Sequence, residues 1–221
     1  MGVMLMLEKM DEFFDSRLDG YEEHMLSAIE GAGEFYPFTA EQLPIEDGAR
    51  VLDLGCGTGL ELKYYLSKNP RASVVGIDLA SGMLKKLESD LAEYDITTVC
   101  ASYFDHPLGE ECFDGVVSVE SLHHFTAEEK LPLYRKVRSA LKSGCYFILT
   151  DYFSLTDEEE KKHRYDLLEL KKKEGVDDGE LYHFDTPLTL EHEIEILEKA
   201  GFNKIEVLRS WGATSTIKAT K

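Results

Sequence analysis

An α/β fold, with a parallel sheet covered by helices on both faces, is predicted by three observations along the 221 residues. From residue 50 onward, short apolar runs alternate with segments of helical period, the pattern of repeated strand–helix–strand units. One late run, 145–151, is almost continuously apolar, as expected of a central strand covered on both faces. The chain then closes on two strand-like runs separated by a tight turn, and strands joined so closely are antiparallel. The length suits one substantial core, and no repeat or linker divides it.

The elements follow in order. Residues 8–31 place Met10, Phe13, Phe14, Leu18, Tyr21, Met25 and Ile29 at helical intervals. Gly20 and Gly31 permit breaks, so one interrupted helix or two short ones are expected. Residues 35–44 are aromatic, carry two prolines and read as a connector, leaving 1–44 as an N-terminal helical cover and 45–221 as the main domain. The first strand is 50–54, followed by glycines and a helix over 58–67. Strand 72–78 and helix 81–92 repeat the unit, and strands at 96–101 and 113–119 come next. A helix over 128–141 is expected to end at Gly144, before the strand at 145–151. A helix over 191–200, stopped by Gly201, leads to strands 202–209 and 214–219 around a turn at Trp211-Gly212.

Between the fifth strand and the last helix runs a charged connection, 153–186, with eleven acidic and six basic residues. A helix is expected over 157–174 and a turn over 175–179. Tyr165, Leu167, Leu168, Leu170, Leu181, Tyr182 and Phe184 give it something to pack. A long segment leaving the C-terminal edge of a central strand is placed to act as a lid over a ligand; a plain surface insertion or a dimer surface is the alternative.

Composition narrows the partners. With 24 basic against 43 acidic residues the formal charge is −19, the wrong sign for a surface that follows phosphates. Nucleic acid and anionic membranes are therefore not expected, and a homodimer is left open. No apolar run reaches membrane-spanning length. Residues 1–7 are hydrophobic but are followed at once by Glu8, Lys9, Asp11 and Glu12, unlike a secretion signal. Cys56, Cys100, Cys112 and Cys145 form no close pair and no zinc spacing, which suits reduced thiols and a cytoplasmic setting. His163 and His183 are isolated in sequence, and no metal site is expected.

The chemistry concentrates at Val51-Leu-Asp-Leu-Gly-Cys-Gly-Thr-Gly59, where the first strand passes to the first main-domain helix. Gly55, Gly57 and Gly59 let the backbone turn tightly and approach a bound molecule, and free amides at the helix start supply donors. Dinucleotide enzymes use a related loop, so an oxidoreductase stays open on the glycines alone. Asp53 shifts the balance: a carboxylate ahead of the loop repels a pyrophosphate and suits an ammonium or sulfonium. Asp78 ends the second strand nineteen residues after Gly59, where it can accept both hydroxyls of a ribose.

With Gly76-Ile-Asp-Leu79 and Phe113-Asp-Gly-Val-Val-Ser-Val-Glu-Ser-Leu-His-His-Phe125, this loop resembles the class I S-adenosylmethionine-dependent methyltransferases, from about residue 44 to the end of the chain. The resemblance implies a Rossmann-like seven-stranded sheet of order 3-2-1-4-5-7-6, with strand 7 antiparallel. It also implies S-adenosylmethionine as cofactor, with Asp53, Gly55 and Gly57 around the methionine portion and Cys56 in the same loop. Asp78 would hold the ribose, and Leu79 and Met83 would line the adenine. Ser102, followed by Tyr103, stands where the family often has an aspartate for the adenine amino group. Ser118 and Val119, ahead of Glu120, would pass the methionine end.

Methyl transfer from a sulfonium depends chiefly on alignment, and a base matters when the nucleophile is a hydroxyl or a carbon acid. His123 and His124 follow the fourth strand, and unperturbed imidazole titrates in a useful range. His124 is the candidate base and His123 the residue that fixes the turn; packing or cofactor orientation is the alternative. Glu120 and Tyr152 are candidates for the acceptor pocket, together with Arg17, Tyr21 and His24, spaced to share one helical face. The expected reaction is methyl transfer to a small molecule. A protein side chain as acceptor, or a cofactor-binding adaptor without turnover, are the competing readings.

Overall fold

In a computed structural model describing residues 7–176 and 179–221, the parallel strands deliver their C-terminal ends to a single edge. The seven strands are β1 (Arg50–Leu54), β2 (Ser73–Asp78), β3 (Asp95–Cys100), β4 (Phe113–Val119), β5 (Leu141–Tyr152), β6 (Lys204–Trp211) and β7 (Thr214–Thr220). Their order is β3-β2-β1-β4-β5-β7-β6. The first five run parallel, and β7 lies antiparallel to both β5 and β6. The predicted architecture and order are those observed.

Eight α-helices are found among the described residues: α1 (Met10–Ser16), α2 (Tyr21–Ala28), α3 (Ala32–Glu41), α4 (Leu60–Lys68), α5 (Ser81–Asp90), α6 (Ala127–Ala140), α7 (Asp157–Glu174) and α8 (Leu190–Lys199). Alternate strand residues feed opposite layers. Leu52, Leu54, Val116, Phe147 and Leu149 pack with residues of α6 and α8, whereas Val51, Val117 and Ile148 pack with α3, α4 and α5. The helix α6 starts on a capping box in which Thr126 and Glu129 bond each other's backbone, an arrangement of about 1 kcal/mol.

Two sequence expectations are corrected. The supposed connector at 35–44 is largely α3, although Pro37 lies inside it. Its proline forfeits an amide, but Phe35, Tyr36, Thr39 and Ala40 are buried, and tertiary packing outweighs the local preference. This helix joins the core beside α4 and α5. Nor does Gly144 end a helix: α6 passes directly into β5 at Leu141. Between the pairs Phe113–Leu141 and Gly115–Tyr146, β4 advances two residues and β5 five. Gly144, at φ 76°, occupies the resulting bulge, a left-handed position that glycine takes readily.

The helix read over 157–174 coincides with α7, its first turn acidic and its last turn Lys171-Lys172-Lys173, both complementing the helix dipole. No residue of α7 is buried. Of the turn read at 175–179, residues 177 and 178 lie outside the described residues, as do residues 1–6 of the hydrophobic opening. Among the described residues, no helix is long and apolar enough to cross a membrane.

Candidate active site

The glycine loop leaves β1 under tight packing. Gly55 stands at φ 75°, and a Cβ there would overlap the Ser121 side chain. Below the loop, Asp53 is completely buried, and neither carboxylate oxygen has a hydrogen-bond donor among the described residues. Glu61, in the first turn of α4, is buried beside it. Burial, with each charge acting on the other, holds Asp53 well above the usual carboxylate range; burial chiefly raises Glu61 as well. The pair is short of a positive charge. Asp78 accepts the amides of Gly57 and Ala80, both at 2.8 Å, leaving a lone pair on each oxygen. Burial raises this carboxyl too, against the pull of those amides. An unpartnered buried carboxylate, open backbone at Gly57 and a strand-ending carboxylate fit the amino-acid and ribose portions of S-adenosylmethionine.

The pocket over this loop is lined by Gly55, Gly57, Asp78, Leu79, Met83 and Tyr103 and roofed by Met10, Phe14 and Tyr21. A second cavity of about 640 Å³ adjoins it, and Phe14, Tyr21, Glu120 and His124 line both. Arg17, His24, His123, His183 and Asp185 complete its wall. Its cover is tied at several points. Asp15 accepts the Gly82 amide at 2.8 Å, at the start of α5. Lys63 on α4 grips Glu22 of α2 at 2.7 Å. Lys9 bridges Tyr182 in antiparallel fashion, and the Met10 amide donates to Leu181. Thus α1 and the end of the 153–186 insertion form one continuous wall.

Glu120 follows β4 at φ 49°, a left-handed conformation costly for a non-glycine residue and concentrated at functional sites. It turns the chain into Ser121 and a 3-10 segment, Leu122–His124. His123 Nδ1 lies 2.6 Å from Asp151 Oδ1, while Asp151 Oδ2 accepts the Leu122 amide at 2.9 Å. Burial disfavours the imidazolium of His123, but Asp151 outweighs it and lifts the group to about 9. Burial pushes Glu120 up to about 7, against the attraction of His123. Burial and the His123 charge hold His124 below the ordinary imidazole range. Burial likewise lowers His183 to about 4, with its ring stacked 3.4 Å from that of Phe13. Asp185, despite burial, is held well below the carboxylate range by the imidazoles around it.

The remaining sequence-predicted positions separate by their contacts. Cys56 is buried against Gly76. The Ser102 hydroxyl accepts the Phe104 amide at 3.2 Å, and Tyr103 places its hydroxyl 3.2 Å from that of Ser121. Ser118 is fully buried and donates to the Leu54 carbonyl, fastening β4 to β1, whereas Val119 lines the loop pocket. Tyr152 packs edge-on behind His123, outside both cavities. Arg17, Tyr21 and His24 do not share a helix: Arg17 caps α1, and left-handed Gly20 intervenes before α2. They nevertheless line one cavity, with Arg17 paired to Glu8 at 2.9 Å and stacked over Phe13. Sequence reasoning passed over Glu61, Ser121 and Asp185. Asp185 reaches the histidines because the Thr186 amide donates to the His123 carbonyl at 2.8 Å, a long-range bond with no local signature.

Residues 51–144 match the family described as "Methyltransferase domain". Over 97% of its length the chain is 22% identical to the carboxy-S-adenosyl-L-methionine synthase of Nautilia profundicola, spanning 96% of that enzyme. A Nostoc punctiforme protein assigned to the O-methyltransferases superposes with a TM-score of 0.73 at 18% identity, over all of this chain and 64% of its own. Phosphoethanolamine N-methyltransferase 2 of Haemonchus contortus, solved with phosphomonomethylethanolamine and S-adenosylhomocysteine, gives 0.66 at 23% identity, over 89% of this chain and 43% of its own. The chain thus spans less than two thirds of those two structures, whose likeness concerns the fold. The matched domain opens on β1, carries the glycine loop and ends within β5, and the sheet order around it is the one the resemblance implied. On this ground residues 51–144 form a methyltransferase domain, set in a sheet of the order that the resemblance to the class I S-adenosylmethionine-dependent methyltransferases implied, with S-adenosylmethionine as its cofactor.

Proposed function

We propose that the protein methylates a small-molecule acceptor held in the 640 Å³ cavity beside the cofactor pocket. The observation that carries this reading is the shared wall of Phe14, Tyr21, Glu120 and His124, which brings an acceptor and a bound cofactor side by side under one cover. A protein side chain would call for an open groove. The small molecule bound in the Haemonchus contortus enzyme, phosphomonomethylethanolamine, agrees with a cavity of this kind.

The bound cofactor supplies a methyl group already activated by its sulfonium. In this reading Asp78 accepts the ribose hydroxyls, Leu79 and Met83 flank the adenine, and the Asp53–Glu61 pair answers the cationic amino-acid portion. Val119 and Glu120 border the methionine end. Loss of the acceptor's proton depends on His124, while Asp151 holds His123 and with it the turn. Arg17, Tyr21 and His24 shape the far side of the acceptor.

Incubation with methyl-labelled cofactor and a panel of small metabolites should give a labelled product that passes a protein-retaining filter. Label found on protein substrates alone would overturn the reading. Calorimetry should show 1:1 binding of S-adenosylhomocysteine, weakened about tenfold or more by Asp78→Ala through loss of charged hydrogen bonds. With a hydroxyl acceptor, His124→Gln should slow single-turnover transfer by about a hundredfold while cofactor affinity is kept.

A further inference from the structure

We propose that His123, His124 and Asp185 bind a divalent transition-metal ion in the floor of the acceptor cavity, leaving free coordination positions for an oxygen of the acceptor. The inference rests on the acceptor reading above and specifies how the histidine turn would serve it. Sequence spacing gave no hint of such a site, because Asp185 arrives from the far end of the insertion.

The two donor distances to Asp185 suit one ion. His124 Nδ1 lies 3.0 Å from Asp185 Oδ1, and His123 Nε2 lies 3.6 Å from the same oxygen. Ligand atoms of all three residues fall within 4.8 Å of one another. Metal–ligand bonds of about 2.0–2.2 Å put neighbouring donors about 3.0–3.6 Å apart, from octahedral to tetrahedral angles.

The donors are also unsatisfied. Among the described residues, His124 Nδ1 and Asp185 Oδ1 are buried without a well-aligned hydrogen-bond partner, although they lie 3.0 Å from each other. Leaving such atoms unpaired is costly, and a cation between them would satisfy both. The His124 side chain is only 4% exposed, so solvent offers no general substitute.

His123 is oriented as a ligand. Its Nδ1 is engaged by Asp151 Oδ1 at 2.6 Å, so an ion binding at Nε2 would displace a proton there and leave the other on Nδ1, facing Asp151. A carboxylate behind a histidine is the usual support for a metal-binding imidazole, fixing both tautomer and ring plane. Asp151 is in turn fixed by the Leu122 amide, and the bond from Thr186 to the His123 carbonyl seats Asp185 opposite. By contrast, the grouping of Glu120, His123 and Asp151 has ready partners, Thr214 for Glu120 and Asp151 for His123, and carries no such need.

Two imidazoles and one carboxylate suit a borderline ion of the zinc type, and three protein ligands leave positions open, as catalytic zinc sites do. Those positions face the cavity that His123, His124 and Asp185 line. The acceptor class indicated is one offering an oxygen donor, a hydroxyl above all. A bound ion would weaken the O–H bond of that hydroxyl, its proton passing to water; the oxygen's electron pair would then form the O–CH3 bond as the S–CH3 bond of the cofactor breaks and its electron pair returns to sulfur. His124 then promotes proton loss as a ligand.

The test uses the full chain freed of metal with a chelator and titrated with Zn²⁺, in parallel with Co²⁺ followed by visible absorption. One ion per chain should bind, and S-adenosylhomocysteine affinity is read in the same samples. Asp185→Asn, a change at a half-exposed side chain, should weaken metal binding at least a hundredfold and leave S-adenosylhomocysteine affinity within threefold; His124→Gln should weaken it likewise. Absence of metal binding in a parent protein that binds S-adenosylhomocysteine would overturn the proposal, as would equal metal affinity in Asp185→Asn. A labelled small-molecule product without metal binding keeps the functional reading and ends this one. Metal binding lost in both variants, with label transferred to proteins alone, does the reverse.

Discussion

At the scale of single residues, Asp53 and Glu61 expose a conflict between stability and ligand binding. A buried carboxyl whose folded value is raised contributes stability that is present below its unfolded value, near 3.8, and lost as pH rises through the folded one. Asp53→Asn removes the penalty of burying an unpaired charge, several kcal/mol at most after relaxation. The variant without cofactor should therefore melt higher than the parent at pH 8 and gain less at pH 5. At about 2–4 °C per kcal/mol for a chain of this size, a gain of several degrees is expected. Its affinity for S-adenosylhomocysteine should fall at least about tenfold as one favourable charge pairing disappears. Scanning calorimetry decides the point, and an equal gain at both pH values would remove the carboxylate from the account. Asp53 was legible because it precedes a glycine loop. Glu61 was not, since Leu60-Glu-Leu-Lys63 reads as an ordinary mixed-polarity helix start, and only the fold shows that its acidic face turns inward.

Among elements, those built on buried runs were legible and those set by tertiary contacts were not. The strand β4 matched its apolar run residue for residue, and α7 matched its charge pattern. The helix α3 was obscured by Pro37, and the bulge at Gly144 by a pairing with β4 that no local pattern contains. Likewise the helices α1 and α2 were visible as an amphipathic stretch, but their attachments were not. Asp15 serves α5 as a cap contributed by a different element, receiving the Gly82 amide at the helix start. Asp15→Ala should cost about 1 kcal/mol, as loss of a cap usually does, and should speed hydrogen exchange across 10–28. Binding of cofactor and acceptor together should slow exchange over both 10–28 and 181–185. Exchange unchanged by the ligands would make α1 and α2 fixed scaffold.

Across the whole molecule, the alternation of elements was enough to anticipate a parallel sheet, and the family resemblance supplied its order. The meeting of Asp185 with His123 and His124 depended on closure of the entire chain, since one partner follows β4 and the other precedes α8. That closure also governs traffic. Because Lys9 is bridged to Tyr182, and Phe14 and Tyr21 border both cavities, one doorway is expected to serve both ligands. An acceptor seated last would then stand between the spent cofactor and its exit. In a chase with unlabelled ligand, labelled S-adenosylhomocysteine should escape at least about tenfold more slowly from a complex that also contains acceptor; equal escape rates would mean two exits. Turnover would then follow a compulsory sequence, with the cofactor first to enter and last to leave, imposed by a few residues of the N-terminal segment.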